Sequence, residues 1–233
     1  MRALAQPSTV GLRTIKLLEG LPEERLQSLA LQLTWRRYEP EQLIISRTVA
    51  SRDVHLIVSG SVRITIYSAA GRQVTFNDER AGAAFGELAA IDGHPRTADA
   101  VALESVLIAS MPPILFKQLL RDEPLVLERV LLQLTSLVRR LSDRVIDLST
   151  LGVQNRVHAE VLRLAREAGV VGNRARIDPA PKHADVAARV STYREQVTRE
   201  ISLLAKEGVV AKSAGALVIL DVGLLERMVK EVR

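Results

Sequence analysis

The spacing of apolar residues changes several times along the chain, and each change marks a different element. Leu26, Leu29, Ala30 and Leu33 recur every three or four positions, so they share one side of a helix. Pro22-Glu23-Glu24 opens that helix, with proline at the first position and acids near the positive end of the helix dipole. From Trp35 the period shortens, and β-rich runs follow at 43–46, 54–58, 62–67, 74–77 and 105–111, punctuated by Gly60, Gly71, Gly82 and Gly93. Val62, Ile64 and Ile66 alternate with Arg63 and Thr65, as in a half-buried antiparallel strand. Many short strands at close spacing predict a β-barrel or sandwich.

Past Pro112-Pro113 the period becomes helical again. A short helix is predicted over 114–120, and Pro124 starts a long one. Leu127, Leu131, Leu134, Val138, Leu141, Val145 and Leu148 then fall at alternating intervals of four and three, an unbroken heptad seam. A helix of about 25 residues spans roughly 37 Å. Nothing else in a small domain covers a seam that long, so the pattern predicts a parallel two-helix homodimer, with Val130 and Leu137 turned toward the β-domain of the same chain. Thr150-Leu151-Gly152 reads as a hinge. A further helix over 153–167 carries Val157, Val161, Leu162, Leu164 and Ala165 on its apolar side, and 169–181 reads as a loop or short hairpin. A short helix over 183–189, a turn at Val190-Ser191-Thr192 and a second helix over 193–206 come next, the last burying Val197, Ile201, Leu204 and Ala205. A strand pair at 209–212 and 217–220 and an amphipathic helix over 224–232 close the chain. The first twenty residues hold an apolar-patterned segment (Val10, Leu12, Ile15, Leu17, Leu18) to which no role attaches.

Composition narrows the chemistry. Of 233 residues 47% are apolar and 25% charged, as in a globular chain with ample core. There is no cysteine, which excludes disulfides, thiol catalysis and cysteine-held zinc or iron–sulfur centres. No apolar run reaches eighteen residues and the start lacks a charged-then-apolar export signal, so a cytoplasmic location and no membrane partner are expected. Basic and acidic residues number eighteen and seventeen up to residue 151, but fourteen and ten beyond it. The excess of positive charge in the last third points to a polyanion there.

The most specific chemistry lies in Phe85-Gly86-Glu87-Leu88, followed by Pro95-Arg96-Thr97-Ala98. A glycine lets the chain turn tightly and bring amide groups up to an anion. A guanidinium gives a phosphate two parallel charge-assisted hydrogen bonds. A carboxylate accepts a hydrogen bond from a sugar hydroxyl and rejects a sugar lacking one. Either motif alone is also consistent with a surface ion pair on a β-turn. Together they match a cyclic nucleoside monophosphate, which offers a phosphodiester, a free 2′-hydroxyl and a flat base.

This segment resembles the phosphate-binding cassette of cyclic-nucleotide-binding domains, those of the CRP/FNR regulators and of cyclic-nucleotide-dependent kinases and channels. The resemblance implies an α+β fold: an N-terminal, jelly-roll-like β-roll that binds cyclic nucleotide (1–121), a coiled-coil dimerisation helix (122–150) and a winged helix-turn-helix that binds DNA (151–233). It also implies that Gly86 and Leu88 offer backbone groups near phosphate and ribose, that Glu87 holds the 2′-hydroxyl, and that Arg96 holds the phosphate. Thr97 is implied at the phosphate or base edge. Leu141 and Ser142 correspond to the pair on the family's central helix that meets the base. The threonine of that pair is replaced by Leu141, so base readout falls to Ser142, Arg140 or the partner chain. The ligand the resemblance implies is cAMP or, because a threonine at position 97 is associated in those relatives with guanine acceptance, cGMP.

On the predicted helix over 193–206, Arg194, Glu195, Thr198, Arg199 and Ser202 lie opposite the apolar side. Arginine reads guanine O6 and N7, and glutamate accepts from the cytosine amino group. Arg-Glu-x-x-x-Arg alone fits a solvated amphipathic helix. With a short helix and turn before it and a strand pair after it, the stretch resembles the winged helix-turn-helix of CRP-like regulators. The resemblance implies that Arg194, Glu195 and Arg199 read a palindromic TGTGA-type operator, with Ser191, Thr192, Tyr193 and Gln196 on phosphates and RNA polymerase met around residues 169–174. His55, His94, His158 and His183 show no metal spacing, and His94 is the one candidate axial ligand for a haem-sensing relative. No Walker loop, nucleophile elbow or carboxylate pair points to an enzyme. Three other readings remain: a regulator of the same fold that ignores cyclic nucleotides, a nucleotide-binding regulatory subunit of an enzyme, and a haem-based gas sensor.

Overall fold

The computed structural model describes residues 3–4, 6–67 and 73–230 of the chain. It divides into two compact units, Met1–Ser136 and Leu137–Arg233. The first begins with β1 (Ala3–Leu4), α1 (Thr9–Arg13), a 3-10 turn at Lys16–Leu18 and α2 (Glu23–Gln32). Pro22 sits just before α2 as its cap. Then come β2 (Thr34–Tyr38), β3 (Leu43–Ile45), β4 (Val54–Ser59), β5 (Ser61–Tyr67), β6 (Gln73–Arg80) and β7 (Ala84–Phe85). A short helix, α3 (Glu87–Asp92), precedes β8 (Asp99–Ala102), β9 (Val106–Met111), α4 (Pro113–Asp122) and α5 (Pro124–Thr150).

The strands form two antiparallel sheets, in orders β1-β2-β9-β4-β7 and β3-β8-β5-β6. Alternation along each strand sends side chains to opposite faces. Tyr38, Ile44, Ile45, Ile57, Val62, Phe85, Val106 and Ile108 therefore fill the space between the sheets. Trp35, Val54, Leu56, Ala109 and Met111 pack on the other face of the first sheet, against Leu12, Ile15, Leu29, Phe116, Val126 and Val130. The segment at 1–20 thus acquires a role: Leu12, Ile15, Leu17 and Leu18 are core residues. The predicted alternation in β5 breaks at Thr65. A register shift between Ile64 and Thr65 leaves Thr65 fully buried, its hydroxyl donating to Val74 O at 3.0 Å.

α5 keeps most of the predicted seam on its surface. Leu127, Leu131, Val138, Leu141, Val145 and Leu148 are exposed, whereas Leu134 packs against the helical core with Val126 and Val130. Leu134 therefore departs from the predicted seam, and Leu137 is only half-buried.

The second unit continues with α6 (Val153–Ala168), the hairpin β10 (Val170–Val171) and β11 (Arg174–Ile177), α7 (His183–Arg189), α8 (Arg194–Lys206), β12 (Val210–Ser213), β13 (Ala216–Ile219) and α9 (Val222–Lys230). Its sheet runs β10-β11-β13-β12. Val157, Val161, Ala165, Val186, Val197, Ile201, Leu204, Val209, Ile219 and Leu225 make its core. One expectation is corrected. Ala205 is exposed and Glu200 takes its place on the buried side of α8, where Gln196 Nε2 donates to Glu200 Oε1 at 2.9 Å. Gly152 caps α6 at φ −60 and ψ 160 with open space around it, so neither conformation nor crowding requires glycine at this junction.

Candidate functional site

Phe85 ends β7 inside the roll, and the chain turns at Gly86 with φ +84 to start α3. Only glycine adopts that conformation without strain, and a Cβ at Gly86 would lie 2.6 Å from Arg96 Nη1 and 3.1 Å from Asp53 O. Glu87, the first residue of α3, is 9% exposed and Arg96 is 6% exposed, yet no ion pair joins them. The surface ion-pair reading is therefore excluded.

Arg96 is held from behind. Nη1 donates to Gly86 O at 2.8 Å, and Nη2 to Asp53 O at 2.7 Å and Ser51 Oγ at 3.3 Å. Its Nε is buried and has no partner. Burial pulls the guanidinium below its usual range, opposed by the charges of Asp53 and Glu87. The result is a fixed cation whose buried Nε–H is uncommitted, a costly state unless an acceptor arrives.

Glu87 is pushed above the usual carboxylate range, chiefly by burial and further by the charge of Glu79. Its own backbone hydrogen bond, Arg96 and Gln133 oppose the shift. Gln133 projects from α5, with Nε2 donating to Ala84 O at 3.1 Å and Glu87 Oε1 at 3.4 Å. The long helix thus touches the acid of the site directly. Leu88 is half-buried, whereas Thr97 and His94 are exposed. Leu141 and Ser142 lie exposed on the part of α5 that belongs to the second unit. Gln133, Ser51, Asp53 and Glu79 escape sequence reasoning, because they reach the site from 8 to 46 positions away and carry no motif.

The second unit presents a different surface. Arg194, Glu195 and Arg199 are exposed on the first turns of α8. Their side chains make no hydrogen bond or ion pair among the described residues. Tyr193 is the exposed cap of α8 at 68%, and Ser191 holds φ +55 in the preceding turn. Thr192, implied as a phosphate contact, is only 8% exposed and gives its N–H to Ala187 O, and Gln196 is half-buried against Glu200. Both offer less surface than the resemblance implies. His183 and Lys212 add to this face: His183 Nδ1 lies 2.7 Å from Thr198 Oγ1. The imidazole is held below its usual range by burial, then by the charges of Lys212 and Arg194.

The turn between α7 and α8 is tied to the α5–α6 junction. Arg144 Nη2 of α5 donates to Arg189 O at 2.9 Å, and Arg156 of α6 donates to Val190 O at 3.1 Å and Leu151 O at 2.8 Å.

These features define a class: a β-roll with a buried Arg96–Glu87 corner, carried in one chain with a winged helix-turn-helix. A cyclic nucleotide-binding domain profile matches residues 35–123, and a Crp-like helix-turn-helix domain profile matches 155–228. The chain belongs to the CRP/FNR family of transcription regulators. The Cyclic AMP receptor protein of Thermus thermophilus is 31% identical over 216 residues, covering 91% of this chain and 95% of that one. A CRP-like cAMP-activated global transcriptional regulator of Mycobacterium tuberculosis is 24% identical over 212 residues, with the same coverage. A CooA variant from Carboxydothermus hydrogenoformans shares the fold at a TM-score of 0.78 and 16% identity, over 97% of this chain and 98% of that one. No helix among the described residues is long and apolar enough to cross a membrane.

Proposed function

We propose that this regulator is a cytoplasmic homodimer whose binding to a palindromic TGTGA-type operator is gated by a cyclic nucleotide, cAMP before cGMP. The observation that carries the reading is Arg96, a buried guanidinium fixed by two carbonyls and a hydroxyl, with Nε left without a partner. The cyclic phosphate completes Arg96, Glu87 takes the ribose 2′-hydroxyl, and Gly86 and Leu88 supply backbone groups. The naming of both curated relatives for cAMP favours adenine, while the Thr97 hydroxyl keeps guanine as the second candidate. Leu141 and Ser142 are the proposed contacts to the base.

The output follows the long helix. A 2′-hydroxyl on Glu87 competes with Gln133 for the same carboxylate, so occupancy acts on α5. The exposed seam from Leu127 to Leu148 pairs two copies of α5, and Arg144 and Arg156 carry its pose to the turn before α8. Arg194, Glu195 and Arg199 of the two copies then meet successive major grooves about 34 Å apart, with Ser191, Thr192, Tyr193 and Gln196 at the phosphates. The exposed β10 hairpin is the proposed surface for RNA polymerase.

Calorimetry with cAMP and cGMP in turn tests the gate. The wild-type protein should bind at least one of them, and Arg96→Ala should bind neither. Absence of binding to both in the wild-type protein would leave a DNA-binding regulator of the same fold governed by something else.

A further inference from the structure

A cavity of about 380 Å³ opens at one end of the roll, between the sheets, lined by parts of β2, β3, β4 and β9 and by the segment after β3. Its polar wall is Arg36, Asp53, His55 and Ser110, and its apolar wall includes Ile44 and Ile45. His55 is 5% exposed; its Nδ1 lies 2.8 Å from Ser110 Oγ, and its Nε2 is buried without a partner. Burial, then the charges of Arg96 and Arg36, hold this imidazole at about 3, so it is neutral near pH 7.

Arg36 and the Asp53 carboxylate are also uncommitted. Neither side chain makes a hydrogen bond or an ion pair within 4 Å among the described residues. Burial raises the Asp53 carboxyl above its usual range, and the charges of Arg96 and then Arg36 oppose the shift. A cation and an anion thus stand apart on the wall of one cavity, with a neutral imidazole and an apolar surface beside them. A guanidinium selects a carboxylate, and a carboxylate selects an ammonium. A molecule carrying both groups on neighbouring atoms, with an apolar remainder, matches the wall, and the volume lies within the range of small-molecule sites.

From this constellation we infer that the cavity is a binding site for an α-amino acid with an apolar side chain. The carboxylate pairs with Arg36, the ammonium with Asp53, and the side chain lies on Ile44 and Ile45 beside the neutral His55. The site is separate from the Glu87 corner but shares a wall with it, since Asp53 O and Ser51 Oγ hold Arg96. An occupant therefore acts on the backing of that arginine.

The test uses the full chain without nucleotide, so its outcome is independent of the gate. L-leucine and L-phenylalanine are titrated by calorimetry against N-acetyl-L-leucine, which lacks the ammonium, and 3-methylbutylamine, which lacks the carboxylate. Saturable binding of at least one amino acid is expected, with both truncated probes at least about tenfold weaker. Arg36→Gln and Asp53→Asn should each weaken the amino acid by a similar factor, and binding should shift the His55 imidazole resonances. No saturable binding of either amino acid up to about 10 mM, or equal binding of N-acetyl-L-leucine, overturns the inference using the wild-type protein alone.

Discussion

The two polar sites of this molecule are built on opposite plans. In the roll, Glu87 and Arg96 are nearly inaccessible and locked by Gly86, Asp53, Ser51 and Gln133. On α8, Arg194, Glu195 and Arg199 stand in solvent with no protein partner among the described residues. A buried polar group costs stability until its last valence is satisfied, and the roll keeps one such group, Arg96 Nε, without a partner. An exposed side chain carries no such cost and keeps its conformational freedom, so α8 can read a surface without endangering its fold. Changes in the roll should therefore move stability and binding together, whereas changes on α8 should move binding alone.

Arg96→Ala should have the largest effect. It strips donors from Gly86 O and Asp53 O and removes the phosphate partner, with an expected loss of about 2–5 kcal/mol in nucleotide affinity. Thermal unfolding should show a destabilised roll while sedimentation still reports a dimer. Unchanged stability would break the contrast, because it would mean the guanidinium is not integral to the fold.

Glu87→Gln sharpens it. Burial raises the folded-state carboxyl above its usual range, so the ionised form opposes folding and stability falls as pH rises from the unfolded value near 4.5 through the raised one. The amide removes that opposition. The free protein should melt higher at neutral pH, while nucleotide affinity falls by about 1.5–3 kcal/mol for the lost charge-assisted hydrogen bond.

Arg199→Ala should cost about 1–3 kcal/mol on the cognate operator, confined to one base pair, with the melting temperature unchanged. A uniform loss across sequences would place Arg199 on phosphate, and a drop in stability would erase the distinction between the sites.

The smallest effect is expected from His55. Burial lowers its folded-state value to about 3, below the 6.5 of an ordinary imidazole. The unfolded chain therefore binds the extra proton first, and the contribution to stability present above pH 6.5 is lost as pH falls toward 3. At pH 5 the loss is on the order of 1–2 kcal/mol, and His55→Gln should flatten that part of the profile.

The sequence made the periodic elements visible: the exposed seam of α5, the strand runs and the two helices at 183–189 and 194–206. It also exposed Gly86, Glu87 and Arg96, because their chemistry sits in one short segment. α3 escaped because six residues carry no measurable period, and the bulge at Thr65 because a register shift is decided by the neighbouring strand. Ser51 and Asp53 reach Arg96 from 45 and 43 positions away, and Gln133 reaches Glu87 from 46. Such contacts are set by tertiary packing. Gly152 illustrates the reverse: a glycine between two helices suggested a bend, yet its backbone is one any residue adopts.

Operator affinity measured with and without nucleotide tests the central claim most directly, using a TGTGA-N6-TCACA duplex at fixed salt. Coupling of about 1–3 kcal/mol between the sites predicts roughly 5- to 150-fold tighter DNA binding by the wild-type protein when cAMP or cGMP is present, and no change for Arg96→Ala. Equal affinity for the duplex with either nucleotide and with none would contradict it.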